Sequence, residues 1–429
     1  MRLRGSIFLN TLSPLERFSP CYQYDRILNH HKIGDSNLKT IYTKEEFSQF
    51  VDEVEREQGY RRAIGFGICR VDLGQKNPNK VLQATYPVIN WKENYGTLAV
   101  FVKALQESGA SIDFSQSELV YSITPTFIEA VLKKFTPFIA EAKGDKHKNI
   151  QVVDKLKNRP DLHLFRLVFI FEDAPLKSVE ATYLKLYALS QRKADLRSLN
   201  LDGAFGVLHN VAWSGNKPYE LDWLRDNEIE LKIFNMYPNI DAVDKFPRFL
   251  QHVIPDDNIR ILDSSKVRMG ARLAPGTTIM PGASYINFNA GTTGASMVEG
   301  RISSSAIVGD GSDIGGGASI LGVLSGTNGN PISIGKNTLL GANSVCGIPL
   351  GDGCIIDAGL AILEGTKITI SEEELAKLRE INPDLPNKRV FKGRELAGIN
   401  GAHFRQNSET GQIVAFRSKR EVKLNQELH

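Results

Sequence analysis

The chain has 429 residues, with 52 Lys and Arg against 49 Asp and Glu, a net charge of +3 and four cysteines. That length exceeds one ordinary domain, so two or three are expected. The charges are mixed, no basic cluster interleaves with aromatics as in a nucleic-acid binder, and no apolar run approaches the length of a membrane span.

In chain order, Met1-Arg-Leu-Arg-Gly-Ser-Ile-Phe-Leu carries two positive charges, but its apolar stretch is too short for a signal peptide. Cys21, Cys69, Cys346 and Cys354 show no metal-ligand spacing. The reading is a reduced, cytoplasmic protein without disulfides. Residues 1–250 read as a mixed α/β region, possibly of two subdomains. Thr43 with Glu46 is a capping box that opens a helix running to about Gln58. Phe66–Asp72 reads as a strand, and Thr126–Lys143 has apolar residues at helical spacing. Gly144–Asp161 is charged and reads as an exposed connection. Leu164–Phe171 is a buried strand candidate, followed by a helix from Ser178 to about Arg192. Phe205–Trp213 and Leu231–Tyr237 read as strands.

Residues 251–370 behave differently. Val267, Leu273, Ile279 and Tyr285 are six apart; so are Ile302, Val308, Ile314 and Ile320, then Ile334, Leu340 and Cys346, then Ile348, Cys354 and Leu360. A six-residue period fits neither a helix nor an alternating sheet. It fits a β-solenoid with one short strand and one turn per sextet. Between Ile259 and Ile370 there are 21 of the 37 glycines but only two aromatics, Tyr285 and Phe288, as tight corners around a thin core require. The phase slips three times: over Asn287–Met297, over Leu321–Ser333 and near Gly347. Loops thrown out from the scaffold are expected at the two long breaks. Residues 371–429 read as a cap that begins with a short helix at Ser371 and continues as strands from Val390 (Ile413, Ala415, Val422, Leu424). Caps are what a solenoid needs at its ends.

No histidine lies between Pro255 and Ala402. A histidine base, or the three-histidine zinc of solenoid carbonic anhydrases, cannot be built from these coils. The remaining proton carriers are Glu299, Asp310, Asp313, Asp352, Asp357 and Glu364. Glu299 stands before Gly300-Arg301, and residues 299 and 301 share a face in extended chain. The pair could serve one pocket, with the acid handling a proton or acyl group and the arginine an anion; it could equally be a salt bridge tying down a loop. Gly315-Gly316-Gly317 could free N–H groups for an oxyanion or simply turn a corner. Lys336, Lys367 and Lys392 are candidates for phosphates of a nucleotide-like carrier, or solvated surface.

Met297-Val-Glu-Gly-Arg-Ile-Ser303, Val308-Gly-Asp-Gly-Ser-Asp-Ile-Gly-Gly-Gly-Ala-Ser-Ile320, Gly341-Ala-Asn-Ser344 and Ile348-Pro-Leu-Gly-Asp352 closely resemble the tetrahydrodipicolinate N-succinyltransferase family, in its actinobacterial and Campylobacter-like type. Val243–Arg248, Leu273–Thr278, Asn287–Gly291 and Phe404–Ser408 add to the likeness, which is strong from about Phe205 onward and looser before it. The resemblance implies a left-handed parallel β-helix, a homotrimer with active sites between neighbouring solenoids, and transfer of a succinyl group from succinyl-CoA, a co-substrate rather than a resident cofactor. The acceptor it implies is tetrahydrodipicolinate, in lysine and diaminopimelate synthesis. Glu299 falls on the family's catalytic glutamate, described as forming an acyl-anhydride; a general-base role is the chemical alternative. Arg301, Gly316, Ser319, Ala342, Gly365 and Lys392 fall on positions that contact succinyl-CoA or the acceptor. Asp357 falls where relatives carry a contacting glutamate, and Arg405, Gln406, Asn407 and Ser408 fall on a segment at the coenzyme end. Some relatives bind an axial divalent ion, but Ser265 and Pro281-Gly282-Ala283 stand at the aligned positions without a carboxylate, so no metal is expected. Two other readings fit the sextets: an N-acyltransferase for another amine, such as a nucleotide-linked amino sugar, or a trimeric scaffold without catalysis. An acceptor with two carboxylates calls for arginines near Glu299, with Arg268 and Arg272 as candidates beside Arg301.

Overall fold

The computed structural model describes residues 38–323, 329–420 and 422–424. The N-terminal segment read for a signal peptide, and Cys21, lie outside them. The first unit is an antiparallel sheet in the order Val81–Thr85, Gly65–Leu73, Phe165–Ile170, Glu118–Ser122, with Asn90–Trp91 added on Gly65–Leu73. Its opening helix, Lys44–Glu55, has both halves of the expected capping box, Thr43 receiving Glu46 N–H and Glu46 receiving Thr43 N–H. One face of the sheet buries Phe66, Ile68, Leu167 and Phe169 under the helices Tyr95–Glu107, Pro125–Lys134 and Lys148–Leu156.

The other face is covered by helix Val179–Ser190, in which every residue is buried. A helix buried all round belongs between two layers, and this one has the sheet on one side and the first solenoid coil on the other, its buried Lys185 paired with Asp173. Leu186 packs over Gly270, and Gly270 N–H donates to Ser190 Oγ at 2.8 Å. Sheet, helix and solenoid therefore share one continuous apolar core. The helix plugs the open end of the coil.

Several expectations for this region are corrected. The pattern over Thr126–Lys143 is a helix ending at Lys134, then a 3-10 turn over Thr136–Glu141, because Pro137 cannot continue the ladder. Gly144–Asp161 is not merely an exposed connection: helix Lys148–Leu156 buries Ile150, Val153 and Leu156. Phe205 lies in a helical turn, Ala204–Val207, and the strand is only Val211–Ser214. Leu231 lies in helix Glu228–Ile233 rather than a strand; its apolar residues Ile229, Leu231 and Ile233 do alternate, but only Leu231 is buried while Ile229 and Ile233 are exposed, so the alternation marks no sheet face.

From Arg260 onward the chain is a left-handed β-helix with three faces of parallel strands. The first face stacks Ile279, Val298, Ile314, Leu340 and Ile356 inward. The second stacks Ile286, Ile302, Ile320, Cys346 and Ile362, and the third Thr292, Val308 and Ile334, then Leu350 by a single bridge. Ile348, Cys354 and Leu360 are buried two residues before their inward strand neighbours, at corners. Tyr285 is not inward; Ile286 takes that place. Asn287–Met297 is not an ejected loop either. It forms strands Gly291–Thr292 and Ser296–Val298 with polar Thr292 inside, where its hydroxyl meets Thr277 Oγ1 at 2.7 Å. The slips are one extra residue between Ile279 and Ile286, spacings of four residues rather than six between Val298 and Ile302 and between Cys346 and Leu350, and the expected long break between Ile320 and Ile334, of which residues 324–328 lie outside the described residues.

At the far end, strands Lys367–Thr369, Val390–Lys392, Ala402–Gln406 and Ile413–Arg417 and helix Glu372–Arg379 close the coil. Ala402–Gln406 pairs parallel with Ile355–Ile356 and so adds a further rung to the first face, Phe404 stacking over Ile356. Val422 and Leu424 lie outside any strand. No helix among the described residues is long and apolar enough to cross a membrane.

Candidate active site

In every coil the residue after the inward residue of the first face begins the same corner. These positions are Met280, Glu299, Gly315, Gly341, Asp357 and, on the added rung, Arg405. Gly316 and Ala342 follow in the same corner. The short turn between Val298 and Ile302 leaves Glu299 half-buried beside it. Together with Met280, Pro281, Ala283, Gly316, Gly317 and Asn343, Glu299 lines an open hollow of about 370 Å³. A larger hollow of about 550 Å³, lined by Leu199–Gly206, Phe288, Asn289 and Ser305, lies at another corner and has Asp202 as its only acid. Chemistry, rather than size, favours the smaller one.

Glu299 and Arg301 do not pair. Arg301 donates to Ser319 Oγ from Nε at 3.2 Å and from Nη2 at 2.7 Å, along the outer surface of the second face where residues 301 and 319 are in register. Among the described residues no cation neutralises the Glu299 carboxylate. Its backbone is fixed by Glu299 N–H to Ile314 O at 2.8 Å and by Gly317 N–H to Glu299 O at 3.3 Å. The amides of Gly316 and Ala342 have no acceptor among the described residues. The corner thus offers a bare carboxylate next to spare N–H donors.

Asp357 is tightly held. His403 Nε2 lies 2.6 Å from Oδ1, and Arg405 Nε donates to Oδ2 at 2.6 Å. Burial pushes the carboxyl pKa up, but the Arg405 and His403 hydrogen bonds outweigh it and hold the group below the usual carboxylate range. His403 was not among the sequence candidates. It reaches the solenoid through the parallel pairing of a strand that lies 46 residues beyond Asp357, and no sextet marks that pairing.

The other candidates divide. Gly365 lies on the next edge, after Ile362, with open space above it. Lys392 faces Lys367 across an antiparallel pair, its backbone N–H donating to Glu395. Neither shares the Glu299 edge. Gln406 and Asn407 build a hairpin turn, Gln406 Nε2 donating to Gly411 O and Asn407 Oδ1 accepting from the amides of Glu409 and Thr410; Ser408 is exposed in that turn. Arg268 is occupied by a two-nitrogen pairing with Asp244, and Arg272 by Asp195. Asp352 accepts from the Lys336 amide. No cluster of three or more His, Cys, Asp or Glu with metal-binding geometry occurs among the described residues.

Family comparisons converge on this architecture. Models described as tetrahydrodipicolinate N-succinyltransferase N-terminal and middle match residues 45–206 and 208–248, and one described as hexapeptide repeat of succinyl-transferase matches residues 331–364. A Sulfurovum protein named 2,3,4,5-tetrahydropyridine-2,6-dicarboxylate N-succinyltransferase is 66% identical over 395 residues, which are 91% of this chain and all of that protein. The chain belongs to the tetrahydrodipicolinate N-succinyltransferase family. A Campylobacter jejuni member bearing the same name is 57% identical over 91% of this chain and all of its own. The crystal structure of a C. jejuni protein described as a 2,3,4,5-tetrahydropyridine-2-carboxylate N-succinyltransferase superposes with a TM-score of 0.85 at 56% identity, covering 90% of this chain and all of that one. The match over residues 45–206 takes in the N-terminal region where the sequence likeness looked loosest.

Proposed function

We propose that this chain transfers the succinyl group of succinyl-CoA to the amine of tetrahydrodipicolinate, a cytoplasmic step of lysine and diaminopimelate synthesis. The observation that carries the reading is the edge that joins Glu299 to Arg405. A carboxylate without a counter-cation stands at one end and an arginine four rungs away at the other, with glycine and alanine at two of the corners between and Asp357, paired with that arginine, at the third. At 4.7–4.9 Å per rung the ends are about 19 Å apart, a span comparable to the extended pantetheine arm between a thioester and the phosphates of coenzyme A.

The cyclic imine acceptor must take up water before it has a free amine. That amine attacks the thioester carbonyl and must lose a proton. Glu299, unpaired and at the groove, takes it as general base. The spare amides of Gly316 and Ala342 are the donors available to the tetrahedral oxyanion, which collapses with release of the coenzyme thiolate. Direct attack of the same carboxylate on the thioester would give a mixed anhydride instead; a succinyl adduct trapped on Glu299 would decide for that route. Gly365 and Lys392 sit on a different edge from Glu299, so one chain holds the candidate contacts as two separate groups. A homotrimer, in which one subunit's edge faces another's, would join them, and the openness of the groove in a single chain supports that arrangement.

The test is Glu299→Gln, with turnover measured by thiol release and succinyl-CoA binding by thermal shift. Turnover is lost and the shift is kept. Turnover near the wild-type rate would remove Glu299 from the mechanism. The same assay run with a nucleotide-linked amino sugar separates the acceptors.

A further inference from the structure

We infer that His403 is a positioning residue that, through Asp357, sets the Arg405 guanidinium to receive a phosphate of the acyl carrier. The proposal rests on reading the Glu299–Arg405 edge as the carrier's groove.

Three contacts build the relay. His403 stands on the added rung of the first face, beside Phe404, and its side chain is only 10% exposed. Its Nε2 lies 2.6 Å from Asp357 Oδ1, so the Nε2–H tautomer donates to the carboxylate. The other oxygen of Asp357 holds Arg405 Nε at 2.6 Å. Phe416, on the neighbouring antiparallel strand, supports both side chains: the His403 ring centroid lies 4.6 Å from its centroid and the Arg405 guanidinium carbon 5.4 Å. Arg405 is therefore fixed at Nε and against an aromatic face.

What remains free is the functional end. The Arg405 side chain is 53% exposed, and neither terminal nitrogen has an acceptor among the described residues. A planar guanidinium held at Nε presents its terminal N–H groups in a fixed fork, the arrangement that binds a phosphate with two parallel hydrogen bonds. An arginine on a flexible stem would have to lose that freedom on binding. His403 does not touch the carrier; it keeps Asp357 from turning, and Asp357 keeps Arg405 from swinging away.

The experiment compares wild type with His403→Ala and His403→Gln on two donors, succinyl-CoA and succinyl-pantetheine, which lacks the phosphates. Thermal shift with coenzyme A serves as a readout independent of turnover. For His403→Ala, KM for succinyl-CoA rises about tenfold with kcat nearly unchanged, as for loss of one oriented charge-assisted pair. The coenzyme A shift shrinks, and kcat/KM for succinyl-pantetheine stays at the wild-type value. His403→Gln, whose amide can still donate to Asp357, recovers most of the loss; His403→Phe, which keeps a ring but cannot donate, should lose as much as His403→Ala and serves in its place if that variant does not fold. Equal losses on both donors, or no loss on either, would overturn the proposal. A wild type that neither binds coenzyme A nor releases thiol would instead overturn the functional reading beneath it.

Discussion

A methyl group built on Gly316 would stand 3.5 Å from Glu299 Oε2 with nothing else within 4 Å. Gly316 is thus not a glycine that the fold demands. Its φ is not positive, and a side chain there would meet the proposed catalytic carboxylate and the groove instead of the scaffold. Gly316→Ala should fold normally, with Tm within about 2 °C of wild type. Turnover should fall by roughly ten- to a hundredfold, because a small displacement of reacting groups is enough for that loss. Wild-type kinetics in this variant would place the reacting atoms elsewhere.

Gly317, its neighbour, makes the opposite case. Its φ is +72°, and an added Cβ would collide with Asn343 Oδ1. Gly317→Ala should destabilise the chain by about 1–3 kcal/mol, seen as a lower urea midpoint. The two alanine variants together separate a glycine kept for the ligand from one kept for the backbone.

The sequence disclosed the solenoid because burial in a thin prism imposes a period that few other folds share. Ile302, Val308, Ile314 and Ile320 are read correctly for that reason. It misled where polar residues point inward: Thr292 satisfies its hydroxyl on Thr277 and so takes an inward place that looks like a loop residue. Glu299 was legible as a candidate, but its setting was not. It sits at a shortened corner rather than after a loop, and its expected partner Arg301 turns to Ser319. His403 and the burial of helix Val179–Ser190 depend on contacts between distant segments, which local pattern does not encode. At Leu231–Tyr237 the alternation of Leu231 and Ile233 is real but belongs to the end of a six-residue helix, Glu228–Ile233, which buries Leu231 alone.

Arg197 joins the N-terminal unit to the solenoid. Its backbone has a positive φ of 65°, its amide donates to Asn289 Oδ1 at 2.8 Å, and its guanidinium donates to Ser305 O at 2.6 Å, Ser333 Oγ at 2.9 Å and Ile332 O at 2.6 Å. One side chain thus ties together successive rungs of one corner. Among the described residues no carboxylate pairs with it, and burial moves its pKa down from the usual arginine value. Arg197→Ala should cost about 2–4 kcal/mol, since two carbonyls lose a charged donor. Arg197→Lys should recover only part, because a single ammonium cannot span the three acceptors. The check is denaturant unfolding followed at Trp fluorescence. A change below about 0.5 kcal/mol in the alanine variant would show that the two units are held by the apolar core alone.

His252 gives the fold an acid-sensitive point. It is enclosed between Tyr183 and Tyr187, with Nδ1 2.9 Å from the Tyr187 hydroxyl and Nε2 buried without a partner among the described residues. Burial drives its pKa from 6.5 down to about 3. Between those values the unfolded chain holds a proton that the folded chain does not, so stability falls as pH falls below about 6.5 and levels off near 3. One such proton corresponds to a slope of at most about 1.4 kcal/mol per pH unit. His252→Gln can keep a hydrogen bond to Tyr187 but cannot titrate. Urea unfolding at pH 7, 6 and 5, above the range in which most carboxylates titrate, should show the wild type losing stability faster than the variant, by up to that slope. Parallel curves for the two proteins would mean that His252 takes up its proton in the folded state at an ordinary pH, and that the pocket between the two tyrosines opens to admit it.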